Sequence, residues 1–408
     1  MSVKKISVSG LGYIGLPTAT MFAHHGAKVI GLDVNQYAID TINQGKIHIV
    51  EPGLEEIVKK VVESGHLKAS LIAEPADAFL IAVPTPFKGE DYTPDLSYIK
   101  SAVETIAPVL QKGNVVILES TSPVGATEKM VEWLSTLRTD LKFSTHEDDI
   151  DVDVFVAYCP ERVLPGQVIR ELVENDRTIG GITPESAKKA AEVYKIFVKG
   201  ELVITNARTA EMTKLTENAF RDVNIAFANE LSLIGDRLDI DVWELIELAN
   251  RHPRVNILSP GAGVGGHCIA VDPWFIVNKT PDLAQMVGTA RRVNDNKPKW
   301  VVEKIEQEIE KLGDLGRKPK VALFGLAFKP NIDDLRESPA VEIAQKMGKN
   351  SNIDLLLVEP NIKALPNKIT QGTLCSLEHA SNEADVIAIL VKHKEFIQLK
   401  NDFMSFVG

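Results

Sequence analysis

Lys5-Ile-Ser-Val-Ser-Gly10-Leu-Gly12-Tyr-Ile-Gly15 decides how the chain begins to fold. A short apolar run ends on a glycine, and two more glycines follow before a helical pattern opens at Pro17. The first glycine permits a tight turn, the second lets backbone approach a pyrophosphate, and the third allows a helix to pack closely on the strand. Asp33 ends the next strand pattern, 28–32, about 20 residues on, where a carboxylate binds a ribose hydroxyl. Gly10, Gly12, Gly15 and Asp33 therefore predict a dinucleotide site. The Asp33 carboxylate repels a 2′-phosphate, so NAD is the expected cofactor rather than NADP.

Outward from that turn, β-rich runs at 6–9, 28–32, 78–83, 115–118 and 154–158 read as buried parallel strands. Amphipathic stretches such as 17–25 and 53–64 separate them, and this alternation implies a doubly wound parallel sheet. The character changes near Thr205. Residues 209–238 hold no proline and a single glycine, Gly235, which predicts a helix of about eight turns. Helical patterns follow at 242–250 and 281–311, and Gly313, Gly316 and Pro319 punctuate a linker. The opening pattern then returns: 320–325 echoes 5–10, 355–359 echoes 29–33, and 384–390 echoes 76–82. The expected fold is α/β, with two Rossmann-like doubly wound domains joined by a central helical domain that carries the long helix. Expected boundaries are 1–208, 209–312 and 313–408, the last domain short at its end.

Composition narrows the function. Among 408 residues, 45 Lys and Arg stand against 56 Asp and Glu, and the net charge of −11 excludes a general nucleic-acid binder. Cys159, Cys268 and Cys375 are too few and scattered for a disulfide framework or a zinc site, so no metal and a reducing compartment are expected. No segment approaches ~18 uninterrupted apolar residues, and Gly10, Gly12, Gly15 and Pro17 interrupt the one signal-like start, so the expected place is the cytoplasm, away from membranes.

Several further segments carry candidate chemistry. Thr85, Thr121 and Thr127 stand just beyond strand ends, where open α/β sheets bind ligands, although turn and capping chemistry also favours them. Glu161 and Arg162 follow another strand, either to position water and an anion or as a solvated pair. On the long helix, Glu211, Lys214, Asn218, Arg221 and Asp222 fall on one face, with Leu215, Ala219, Val223 and Ala226 on another. Two cations bracketing an amide suit an anionic, hydroxyl-rich ligand, while an ordinary surface helix gives the same stripe. Residues 259–273 hold four glycines, read as baring backbone amides, then His267, Cys268 and Asp272. A covalent thiol mechanism needs a Cys so presented; the alternative is a small buried hydrophobe.

These segments together resemble the UDP-glucose/GDP-mannose dehydrogenase family, from the first strand to about residue 395. The segments 48–52, 84–89, 159–166, 250–257 and 325–339 resemble the branch acting on UDP-N-acetyl-D-mannosamine for bacterial surface polysaccharides such as enterobacterial common antigen. The resemblance implies four-electron oxidation of the sugar C6 alcohol to a carboxylate with two NAD. It implies Cys268 as covalent nucleophile, Lys214 and Asn218 in proton transfer and oxyanion stabilisation, and Asp272, Glu161 and Thr121 around water. For NAD it implies Gly10, Gly12, Tyr13, Ile14, Gly15, Asp33, Thr85 and Thr127. For the UDP-amino-sugar it implies Arg162, Val163, Lys214, Asn218, Arg221, His252, Arg254, Gly265, Phe328, Lys329 and Arg336. It further implies a homodimer built on the long helix, and a last strand and loop that are not found before Gly408, so substrate closure is expected to suffer. Competing expectations are another UDP-sugar 6-dehydrogenase, acting on UDP-glucose or UDP-N-acetylglucosamine, a two-electron β-hydroxyacid dehydrogenase, and a non-catalytic nucleotide-sugar sensor.

Overall fold

The structure is a computed structural model and describes residues 3–89, 91–163, 166–266 and 268–401. The chain divides into two compact units, Met1–Glu217 and Asn218–Gly408. The first is built on β1 (Lys5–Ser9), β2 (Lys28–Leu32), β3 (Leu67–Ser70), β4 (Ala78–Ile81), β5 (Val115–Leu118), β6 (Phe155–Tyr158), β7 (Arg177–Gly181) and β8 (Leu202–Asn206). Their order across the sheet is β8-β7-β6-β5-β4-β1-β2-β3. The first six are parallel in the 3-2-1-4-5-6 order of a doubly wound sheet; β7 runs antiparallel to β6, and β8 parallel to β7. Ser9 lies beside Leu32 on one side and Ile81 on the other, so Gly10 emerges where the strand order reverses.

The central strands are buried on both faces, which is why they read as continuous apolar runs. The strands β3, at one edge, and β7, next to the other, gave weaker signals. In β3, Leu67 and Ala69 are buried while Lys68 faces out, and β7 ends on Gly180 and Gly181. The helix Gly15–His24 corrects one expectation: it is buried from Gly15 through Ala23 rather than striped. It packs on the sheet and also against the helices Leu54–Glu63 and Val168–Glu174.

In the second unit the long helix, Ala207–Leu238, continues from the first and is followed by the helices Val242–Ala249, Asp272–Lys279 and Gln285–Lys311. Pro298 sits inside the last of these. Four parallel strands then form a smaller sheet: β9 (Lys320–Phe324), β10 (Asp354–Val358), β11 (Thr373–Leu374) and β12 (Val386–Ile389), ordered β11-β10-β9-β12. This is the 3-2-1-4 portion of a doubly wound order, and the echo of the N-terminal strands is thus a structural repeat. The expected shortfall at the chain end falls on 402–408, outside the described residues. Among the described residues no helix is long and apolar enough to cross a membrane.

Candidate active site

The glycine turn after β1 is a fitted cradle. Gly10 adopts φ +87°, and a Cβ there would lie 2.6 Å from the Ala82 carbonyl oxygen; one on Gly15 would lie 1.7 Å from the Gly10 oxygen. Only glycine fits either place. Around Gly12 nothing lies within 4 Å of a notional Cβ, which leaves room for a pyrophosphate. The Leu11 N–H donates to Asp33 Oδ2 (2.8 Å) and the Asn35 N–H to Oδ1 (2.9 Å). The carboxylate is thus aimed by backbone, stays half-exposed, and keeps lone pairs for a ribose. Tyr13 is exposed and Ile14 half-buried beside it. The buried Thr85 hydroxyl finds no partner within the protein, as expected of a group that a ligand satisfies. These residues fit a dinucleotide. Thr127 is differently placed: its N–H (2.8 Å) and hydroxyl (2.6 Å) both donate to Glu211 Oε1, while the Gly125 N–H donates to Oε2 (2.7 Å). Its hydroxyl therefore holds the long helix to the start of the helix Ala126–Leu137. Thr121 is half-buried, between Ser120, whose hydroxyl donates to the Val83 carbonyl, and Ser122.

Glu161 and Arg162 do not form a solvated pair. Glu161 is buried; its Oε2 accepts from Arg177 (3.0 Å) and its Oε1 from the Arg162 N–H (2.6 Å). The Arg162 guanidinium turns instead to Glu217 (2.7 Å), and Val163 packs on the apolar core. Arg177, 3% exposed, bridges Glu161 to Glu119 at 3.9 Å and stacks 4.7 Å over the Tyr194 ring. The Tyr194 hydroxyl donates to Glu119 at 2.6 Å. Burial pushes the Glu119 carboxyl up to about 7 against the pull of Arg177, and pushes the Cys159 thiol up to about 12. Sequence reasoning missed Glu119, Arg177 and Tyr194. Buried charge needs a partner, but these partners lie as many as 75 positions apart.

The long helix departs from the expected grouping. Lys214 and Asn218 lie one turn apart and half-buried, and Arg221 is exposed. Glu211 and Asp222 are fully buried. Asp222 accepts from Arg291 (2.6 Å) and Asn294 (2.8 Å), so it belongs to the core of its unit and not to the ligand face. Asn218 donates to the Asp272 carboxylate. Asp272, 2% exposed, opens the helix Asp272–Lys279, and its N–H donates to the Cys268 carbonyl (2.8 Å), as does that of Val271 (3.0 Å). Amide, carboxylate and the residue bearing a half-buried thiol are thereby tied together.

The glycines before Cys268 have a reason other than the expected one. A Cβ on Gly265 would lie 2.5 Å from the Glu337 oxygen and 2.8 Å from the Phe328 Cβ; one on Gly266 would lie 3.0 Å from the Phe328 ring, and one on Gly263 2.9 Å from Pro339. Close approach by Phe328 and Pro339 requires them. Their amides are not generally bared, because the Gly266 N–H donates to the Arg336 carbonyl (3.2 Å) and that of Gly261 to Asn229 (2.9 Å). Lys329 sits 5.8 Å from the Phe328 ring centroid, and the exposed Arg336 pairs with Asp334 at 2.6 Å. His252 and Arg254 are exposed on a turn that paired hydrogen bonds between Asn250 and Ile257 close. His267 lies outside the described residues.

Comparison with known proteins accords with this geometry. Profiles of the UDP-glucose/GDP-mannose dehydrogenase family match as its NAD-binding domain over 4–198, its central domain over 208–296 and its UDP-binding domain over 322–406. The chain is 62% identical to a UDP-N-acetyl-D-mannosamine dehydrogenase of Campylobacter jejuni, covering 98% of this chain and 97% of that protein. It is 57% identical to an NDP-N-acetyl-D-galactosaminuronic acid dehydrogenase of Ralstonia nicotianae, with 98% and 93% covered. A solved UDP-D-ManNAc dehydrogenase of Pyrococcus horikoshii superposes with a TM-score of 0.87 at 42% identity, over 96% of this chain and 90% of that one.

Proposed function

The chain belongs to the UDP-glucose/GDP-mannose dehydrogenase family, an NAD-dependent nucleotide-sugar dehydrogenase, and from that premise we propose that it oxidises the C6 alcohol of UDP-N-acetyl-D-mannosamine to UDP-N-acetyl-D-mannosaminuronate. NAD supplies the hydride acceptor at each of two steps. The residues fitted to hold it are Gly10, Gly12, Tyr13, Ile14, Gly15, Asp33 and Thr85, with Thr127 supporting the neighbouring helix start. Arg162, Val163, Arg221, His252, Arg254, Gly265, Phe328, Lys329 and Arg336, with Lys214 and Asn218, are assigned to the nucleotide sugar.

The C6 hydroxyl proton leaves with Lys214 as acceptor while hydride departs, giving the aldehyde. The Cys268 thiolate adds to the carbonyl carbon, and the protonated adduct is a thiohemiacetal. Loss of a second hydride makes a thioester, to which water adds; the C–S bond then breaks and the thiol is regenerated. One alcohol, two NAD and one water thus become one carboxylate, two NADH and three protons. One amide proton of Asn218 is spent on Asp272, and the other remains for the developing oxyanion, beside the Lys214 charge. Asp272, Glu161 and Thr121 are assigned to water handling.

The observation that carries this reading is the link from Asn218 through Asp272 to Cys268, which holds an amide donor and a carboxylate at the thiol-bearing residue. Phe220, Phe227, Ile234 and Leu238, exposed at near-heptad spacing on the long helix, support a homodimer through that face. The product suits cytoplasmic synthesis of a surface polysaccharide of the enterobacterial common antigen type. The test is to count NADH per sugar across UDP-N-acetylmannosamine, UDP-N-acetylgalactosamine, UDP-N-acetylglucosamine and UDP-glucose. Two NADH per mannosamine sugar, at the highest kcat/KM, is the expected result. One NADH per sugar defeats the thioester route, and faster oxidation of another sugar defeats the substrate assignment.

A further inference from the structure

We propose that His393 is a positioning residue for the Cys268 loop, acting with Glu359 as a brace on the segment 326–338. This rests on the reading of Cys268 as nucleophile. Glu359 ends the strand pattern that echoes Asp33, yet it is filled from within the protein. It accepts from the Leu326 N–H (2.7 Å), the Ala327 N–H (3.0 Å), the Asn361 N–H (3.1 Å) and Nδ2 (3.0 Å), and His393 Nε2 (3.0 Å). His393 Nδ1 in turn accepts from the Asn331 N–H at 2.9 Å. An acceptor at Nδ1 places the ring proton on Nε2, where it is donated to Glu359. Asn331, left-handed at φ +63°, is held a second time because its Oδ1 accepts from the Lys394 N–H (3.0 Å).

The braced segment is closed at its far end as well: the Phe328 N–H donates to the Asp334 carbonyl (3.1 Å), and the Ser338 hydroxyl to the Leu326 carbonyl (2.7 Å). Its inner side meets the thiol loop. Phe328 lies against the places where Gly265 and Gly266 lack a Cβ, and the Arg336 carbonyl takes the Gly266 N–H. Contacts therefore run from a fully buried imidazole, through a carboxylate and one loop, to the residues two and three before Cys268, all within the second unit. Burying His and Glu together costs desolvation that two apolar side chains would avoid. What the polar pair adds is direction: it fixes the backbone at 326, 327 and 331, from which Phe328 projects.

The test uses the full chain and His393→Phe, which keeps a ring edge-on to Phe396 (5.4 Å) but loses the imidazole's hydrogen bonds to Glu359, Asn331 and Asn361. Two readouts are taken: steady-state kinetics with UDP-N-acetylmannosamine, and iodoacetamide alkylation resolved by peptide mass spectrometry at Cys268 and Cys375. We expect kcat/KM for the sugar to fall ~10-fold with KM for NAD unchanged, and Cys268 alkylation to change at least ~3-fold relative to Cys375. His393→Asn, which can keep the acceptor for the Asn331 N–H, should recover part of the loss. Asn331→Gly tolerates the left-handed backbone and removes only the Lys394 contact, so it should shift alkylation in the same direction by less. Wild-type alkylation in both His393→Phe and Asn331→Gly overturns the proposal. So does an equal rise at Cys268 and Cys375, which reports general loosening. Should His393→Phe fail to fold, Asn331→Gly alone decides. Should the wild type yield no NADH from any nucleotide sugar, the functional reading falls while the alkylation arm still judges the brace.

Discussion

The turns after β1 and β9 are built alike and used differently. Both follow the first strand of a doubly wound order, both open on a left-handed glycine (Gly10, φ +87°; Gly325, φ +91°), and both donate that glycine's N–H to the end of the next strand (2.7 and 2.8 Å). Each is followed about a strand and helix later by an acid, Asp33 or Glu359, that accepts backbone N–H groups of the turn. At the first turn the surroundings of Gly12 are open, and the acid stays half-exposed. At the second, Leu326 and Ala327 stand where such space would be, and the buried acid is filled by five donors. One frame thus leaves a half-exposed carboxylate where a small residue keeps the turn open, and a fully enclosed one where the loop folds back.

The sharpest break between the halves is chemical. If the first turn serves only the cofactor and the second unit carries the thiol, Cys268→Ala should lower acid formation by at least ~10³-fold while leaving NADH affinity, followed by fluorescence, as in wild type. Cys268→Ser can form a hemiacetal but an ester that hydrolyses poorly, so stopped-flow absorbance should show a burst near the enzyme concentration and then very slow turnover. Near-normal steady turnover in Cys268→Ala would return Cys268 to an ordinary half-buried residue, worth ~1–2 kcal/mol of stability at most.

The two buried acids should answer pH with opposite signs. Burial alone would raise Glu359, but hydrogen bonds from His393, Leu326, Asn361 and Ala327 outweigh it and hold the group at about 2 rather than 4.5. Its contribution is present above pH 4.5 and lost as pH falls towards 2, and it amounts to ~3 kcal/mol. Burial wins at Glu119, held at about 7, so the fold prefers its protonated form. Stability is then full below pH 4.5 and declines as pH rises through 7, by ~3 kcal/mol at most. Urea unfolding should therefore find Glu359→Gln less stable than wild type at neutral pH, with the gap closing in acid. Glu119→Gln should match wild type in acid and exceed it above pH 7. Parallel pH curves for either variant and wild type remove that acid from the account.

Which of these features the sequence revealed follows from their range. β1, β2, β4, β5 and β6 were legible because a strand buried on both faces must be an apolar run, and Gly10 to Gly15 because sterics at one turn are local. The strands β3, β7 and β8 were not: an edge strand pays less for polar residues, and Gly180 and Gly181 read as turn residues although they admit Asn206 and Thr183. Cys268, Lys214, Asn218 and Asp272 stood out by type and spacing. The glycines of the thiol loop were noticed for a reason the structure replaces, since Phe328 and Pro339 come from 62 to 76 residues further on. Arg177 and His393 left no local mark, because a buried charge or imidazole is explained only by partners that the fold delivers.

The smallest expected effect tests the comparison at its root. Asp33 and Glu359 hold equivalent places, yet only Asp33 keeps acceptor capacity facing solvent. Asp33→Ala removes the carboxylate acceptor of two backbone N–H groups at a half-exposed site, which water can replace, so its thermal midpoint should move little. The ribose loses a charged hydrogen-bond acceptor, worth ~1.5 kcal/mol, so KM for NAD should rise ~10-fold with kcat nearly unchanged. The repulsion that excludes a 2′-phosphate disappears with the same carboxylate, and the preference for NAD over NADP should shrink as KM for NADP stays level or falls. Glu359→Ala should do the reverse, lowering the thermal midpoint while KM for NAD holds. An Asp33→Ala protein that unfolds early yet binds NAD normally would mean that this acid, too, serves the turn and not the ligand.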